Sequence, residues 1–133
     1  MITTPETETQ EAEDAAAFRE LLLKSAVHPR DRAAVRALLD EEQIFAHEAV
    51  RKTLLWETTQ GVEFAWERVT SCLYTMGLDD SERAFFSLVM SLACPHQTSL
   101  TKVMDLDERR TAILLRAMIE LSGCDTLAVG TRT

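Results

Sequence analysis

Residues 81–94, SERAFFSLVMSLAC, decide the fold class. From Phe85 to Cys94 only Ser87 and Ser91 are polar. A helix that is apolar nearly all round is one surrounded by protein. These 14 residues fall short of the ~18 that a membrane span requires. The stretch therefore predicts a central core helix. With only 4 Gly and 3 Pro in 133 residues, long helices are favoured over many short strands. The expectation is an all-α fold, a single-domain helical bundle of five to seven helices around the apolar helix at about 81–94.

The flanks of that helix carry its punctuation. Asp79 or Asp80 is placed to cap it, and Pro95 stops it. Upstream, Val62, Ala65, Trp66, Val69, Cys72, Leu73 and Met76 fall on one face at 100° per residue, which predicts a helix between Gly61 and a left-handed Gly77. Downstream come a short helical turn at Ser99–Met104 and a last helix, Glu108–Ser122, capped by Asp107 and closed by Gly123.

The first half reads less cleanly. A helix over Glu11–Val27 shows Phe18, Leu21, Leu22 and Ala26 at helical spacing, and His28-Pro29 ends it. Pro29 opens a second helix, to Leu39. Asp40 with Gln43 has the form of a capping box, so a third helix is expected over Glu41–Thr58, with one kinked helix as the alternative. No alternating pattern calls for a sheet. Residues 1–9, MITTPETET, predict a disordered acidic tail, 10–123 the helical domain, and 124–133 a C-terminal tail.

The net charge of −8 is concentrated at one end: residues 1–20 carry −5 of it. A near-neutral body counts against phosphate-backbone binding, which needs clustered cations. Three cysteines, with no C-x-x-C spacing, read as free thiols of a reducing cytoplasm. Arginine outnumbers lysine, a bias expected of a GC-rich bacterial genome. The polar, acidic N-terminus does not read as a signal peptide, and no membrane partner is expected.

Patterns of chemistry are sparse. No Glu-x-x-His pair serves a di-metal bundle, and His47-Glu48 is followed by Arg51 where a zinc helix needs its second histidine. Cys94-Pro95-His96 offers a thiol and an imidazole but lacks a fourth zinc ligand, and a buried thiol at a helix end is the plainer reading. The isolated glycines form no phosphate loop, and no G-x-S-x-G elbow is present. The chain is accordingly expected not to be an enzyme and to need no cofactor or metal.

The sequence is compatible with three functions. The leading one is a protein-interaction module, a homodimer or an adaptor, anchored by Trp56, Phe64 and Tyr74, because aromatics concentrate at interfaces. The second is a small DNA-binding or mobile-element regulator. It would use 81–122 as a helix-turn-helix-like unit and contact DNA through Lys102, Arg109 and Arg110, although Asp105, Asp107 and Glu108 lie among them. The third is a small-molecule sensor with an apolar pocket near Phe86, Met90 and Met118.

Overall fold

The computed structural model describes residues 5–132. Its helices are α1 (Pro5–Ser25), α2 (Pro29–Glu41), α3 (Glu48–Leu54), α4 (Trp66–Cys72), α5 (Asp80–Ala93) and α6 (Glu108–Ser122), with a 3-10 helix at Leu100–Asp105. A hairpin of β1 (Leu55–Thr58) and β2 (Gly61–Phe64) stands between α3 and α4. The protein is thus a small, mostly helical domain.

Helix α5 is central. Phe85, Phe86, Leu88, Val89 and Met90 are buried, and α2 and α6 pack against it and against each other. Its start is fixed by a reciprocal cap. The Glu82 amide donates to Asp79 Oδ1 (2.8 Å) and the Asp79 amide donates to Glu82 Oε1 (3.1 Å). The first of these bonds holds the Asp79 carboxyl below its ordinary pKa. Asp107 caps α6 by a single bond, accepting from the Arg110 amide at 2.7 Å, and Gly123 closes α6 at φ 76°.

Helix α1 begins at Pro5, so residues 5–9 of the expected tail belong to a helix; residues 1–4 lie outside the described residues. Leu22 and Ala26 enter the core, and Phe18 meets Phe45 edge-on at 5.9 Å. Leu21, expected on the buried stripe, is 45% exposed. Residues 6–17 are exposed on all sides, so the first half of α1 projects from the body.

Of the helix expected over Glu41–Thr58 only Glu48–Leu54 forms, as α3, and α2 does not continue into it as one kinked helix. Helix α2 runs on to Glu41, and the chain turns sharply at Glu42, whose φ is 75° and ψ −41°. The Gln43 amide donates to the Glu41 carbonyl (3.0 Å), which closes a positive-φ γ-turn. The capping box of Asp40 and Gln43 is replaced by Glu41, whose carboxylate accepts from the Ile44 amide at 2.8 Å. After α3, residues 55–64 pair as a hairpin in the register Leu55↔Phe64 and Trp56↔Glu63. The Gly61 φ of 138° suits no other residue well, and a Cβ there would meet Ser25 Oγ at 2.9 Å. That same hydroxyl accepts from the Val62 amide (3.1 Å), which docks the hairpin on the end of α1. The predicted helix from Gly61 to Gly77 therefore contracts to α4, yet Val62, Trp66, Val69, Leu73 and Met76 are all buried as expected.

Glu42 is the only non-glycine with positive φ among the described residues. Such backbone stores about 1–3 kcal/mol, against which glycine's extra unfolded-state entropy costs about 0.5–1 kcal/mol. Glu42→Gly is expected to raise Tm by a few degrees in thermal denaturation. A fall in Tm would show the turn to be unstrained.

Candidate functional site

The three aromatic anchors end up in three different settings. Paired residues of a hairpin share a face, so Trp56 lies with Glu63 on one side and Phe64 with Leu55 on the other. Trp56 is 57% exposed, with the Arg68 guanidinium 5.6 Å from its ring centre. Phe64 is half-buried and stacks on Trp66 at 5.9 Å, since a strand, not a helix, carries it. Tyr74, in the turn after α4, is 76% exposed under the Arg83 guanidinium at 4.8 Å. Trp56 and Tyr74 are available to a partner, whereas Phe64 belongs to the packing beneath the hairpin.

The three cations of the DNA-binding reading each have an internal partner. Arg110 is buried and donates to Glu41 Oε1 from Nε (3.3 Å) and Nη2 (3.1 Å), to Ser81 Oγ (2.9 Å) and to Gln43 Oε1 (2.6 Å). Arg109 reaches back to the end of α2, where Nη2 donates to the carbonyls of Asp40 (2.8 Å) and Glu41 (2.7 Å). Lys102 is half-buried and donates to Ser87 Oγ at 3.1 Å. They form no common basic surface. Phe86 and Met90 are likewise sealed in the core, while Met118 is 42% exposed on α6, so the three named for a ligand pocket line no shared cavity.

One polar cluster escaped the sequence pattern. Ser87 Oγ, on the buried face of α5, is within 2.9 Å of His96 Nε2, 2.9 Å of Thr98 Oγ1 and 3.1 Å of Lys102 Nζ. A serine beside a histidine and a lysine is the material of nucleophilic catalysis. Here Ser87 has 0% exposure, and its one proton and two lone pairs are matched by three partners. The arrangement ties the 95–106 connector to the core. Burial, aided by the Lys102 charge, pushes the His96 pKa down, which keeps the imidazole neutral. Cys94 turns the other way: its Sγ lies 3.4 Å from the Met90 carbonyl, and burial raises its pKa. Cys94 and His96 thus do not converge. Among the described residues no group of three or more His, Cys, Asp or Glu is placed to hold a metal ion.

The surface carries further apolar side chains that periodicity assigned to the core or passed over. Leu100 (71%), Val103 (40%) and Met104 (84%) are exposed on the 3-10 helix. Leu115 (43%) and Met118 (42%), three residues apart, share the outer face of α6. Between α1 and the 42–51 segment runs a groove of about 730 Å³ with Phe18, Leu39 and Phe45 in its floor and Asp14, Arg19, Glu42 and Arg51 around it. No helix among the described residues is long and apolar enough to cross a membrane. Compared with family models, curated proteins and solved structures, the chain matches none.

The Ser87 cluster has a pH signature. An unfolded His96 takes up a proton near its ordinary pKa of 6.5, whereas the folded one resists it. As pH falls below that value the unfolded chain binds more protons, and stability declines. Between pH 7.5 and 5.5, Tm of the wild type is expected to drop more than Tm of His96→Gln. Parallel curves for the two proteins would contradict this role.

Proposed function

We propose that the protein is a non-enzymatic interaction module that docks a protein partner through apolar side chains of its C-terminal third. The observation that carries this reading is the exposure of Leu100 and Met104 on the 3-10 helix and of Leu115 and Met118 on α6. The core is complete without them: α5 is covered, and among the described residues no buried side-chain polar atom lacks a partner. Large apolar side chains left in water by a satisfied fold mark sites where a second protein removes that surface from solvent. Methionine suits such a role because its flexible thioether adapts to the partner's shape. Tyr74 adds an aromatic anchor, braced by the Arg83 guanidinium. The free cysteines fit a reducing compartment, and we place the module in the bacterial cytoplasm.

The bonds of Ser87 to His96, Thr98 and Lys102 tie the 3-10 helix to α5, so Leu100 and Met104 are held in place before a partner arrives. Preorganisation of that kind lowers the ordering cost of binding. A photo-reactive amino acid placed at Met104 or Leu115 should yield one discrete cross-linked adduct in cells, whereas the same group at Glu57, exposed on the hairpin, should not. Leu100→Ser should abolish the Met104 adduct, with a change in stability within about 0.5 kcal/mol, as for surface sites. Cross-linking no different from the Glu57 control would refute the reading.

A further inference from the structure

The two halves of α1 carry opposite charge. Its projecting half, residues 6–17, holds Glu6, Glu8, Glu11, Glu13 and Asp14 and no cation. Its second half borders a groove of about 700 Å³ lined by Ala16, Arg19, Glu20, Leu23, Lys24 and Arg32, with three cations to one carboxylate. Arg19 already pairs with Asp40 at 2.8 Å. Lys24 and Arg32 have no ion-pair partner among the described residues, and neither do Glu8, Glu11 and Glu13.

A projecting helix of this length is hard to sustain alone. Isolated helices shorter than about 12–15 residues are marginal in water, and proteins stabilise them by packing one face. The exposed half of α1 has alanines at 12, 15, 16 and 17 and no larger apolar residue before Phe18, so it offers a narrow surface suited to close approach. What it lacks is a partner that brings positive charge.

We propose that this partner is a second copy of the same chain, with the acidic half of each α1 lying antiparallel in the basic groove of the other. A two-fold pairing brings each patch onto its complement twice over, because an isologous interface repeats every contact. Parallel pairing would set acid against acid. A foreign basic helix would satisfy the acidic half but leave Lys24 and Arg32 unanswered. The apolar groove on the adjoining face of α1, which shares Ala16 and Arg19 with the basic one, has equal numbers of acidic and basic residues, Asp14 and Glu42 against Arg19 and Arg51, and so selects neither charge. The Ala16 and Leu23 side chains give the basic groove an apolar floor for the incoming alanines. This self-association uses a face separate from the C-terminal docking residues and goes beyond the interaction-module reading.

The test is sedimentation of the full chain at low micromolar to 100 µM concentration, in about 50 mM and 500 mM salt. The wild type should dimerise, more weakly at high salt, where charges separated by water are screened. One variant, Glu8→Lys with Glu11→Lys and Glu13→Lys, reverses the acidic half; another, Lys24→Glu with Arg32→Glu, reverses the groove. Each alone should be at least tenfold weaker as a homodimer. Mixed, they should form a heterodimer, since both contacts are then complementary again. Circular dichroism of each variant verifies that the body is folded. A monomeric wild type at 100 µM, or reversed variants that dimerise as well as it does and gain nothing on mixing, would overturn the proposal. Leu115→Ser with Met118→Ser should leave the dimer intact, so a failure here is separable from a failure of the docking surface.

Discussion

The buried ion pair of Glu41 and Arg110 is the constraint on which the rest of the fold depends. Glu41 has 0% exposure at the C-terminal end of α2, where the helix dipole disfavours an anion. Arg110 lies in the first turn of α6, where the dipole disfavours a cation. Each is held in an unfavourable place by the other. The guanidinium also reaches Ser81 at the start of α5 and Gln43 beyond the turn, so one side chain joins three helix ends. A buried pair of this kind adds little net stability over a well-packed apolar substitute, but removing one partner strands a charge and costs about 3–5 kcal/mol. Its effect is therefore to specify one arrangement of α2, α5 and α6.

Two other features follow from that junction. With the Glu41 carboxylate fixed on Arg110 and on the Ile44 amide, the chain must leave α2 through a tight turn, and Glu42 takes up the positive φ. Arg109 holds the same corner: the dipole of α6 disfavours a cation at its start, but the guanidinium bonds the last carbonyls of α2, the negative end of that helix. At the other end of α5, Ser87 fastens the 95–106 connector and with it the 3-10 helix that presents Leu100 and Met104. The central helix is thus anchored by polar contacts on both flanks. The surfaces proposed for function sit on its attachments and on α1.

How much of this was legible in the sequence depended on the range of the interaction. The central helix, its Asp79 cap, the Asp107 cap, Gly123 and the breaks at Pro29 and Pro95 rest on local rules, and the structure contains them. The hairpin at 55–64 was not visible. Val62 continues the helical stripe of Ala65, Trp66 and Val69 as well as it fits a strand, and the contact that docks it as a strand comes from Ser25, 37 residues away. The end of α2 was misplaced for a similar reason. Asp40 and Gln43 have the form of a capping box, but Glu41 is buried against an arginine 69 positions distant and carries α2 past the expected boundary. Of the candidate residues, Trp56 and Tyr74 are exposed, while Arg110 is buried against Glu41, a partner that one sequence does not reveal. The Ser87 cluster escaped notice because two serines on an apolar helix carry no signal until the connector folds over them.

The most direct test of this account is a double-mutant cycle on Glu41 and Arg110, read by urea denaturation of the wild type, Glu41→Gln, Arg110→Met and the double variant. Each single change is expected to cost about 3–5 kcal/mol, and the double variant to recover about 1–3 kcal/mol of their sum. Single losses below about 1 kcal/mol that simply add in the double variant would contradict the claim that this pair organises the fold.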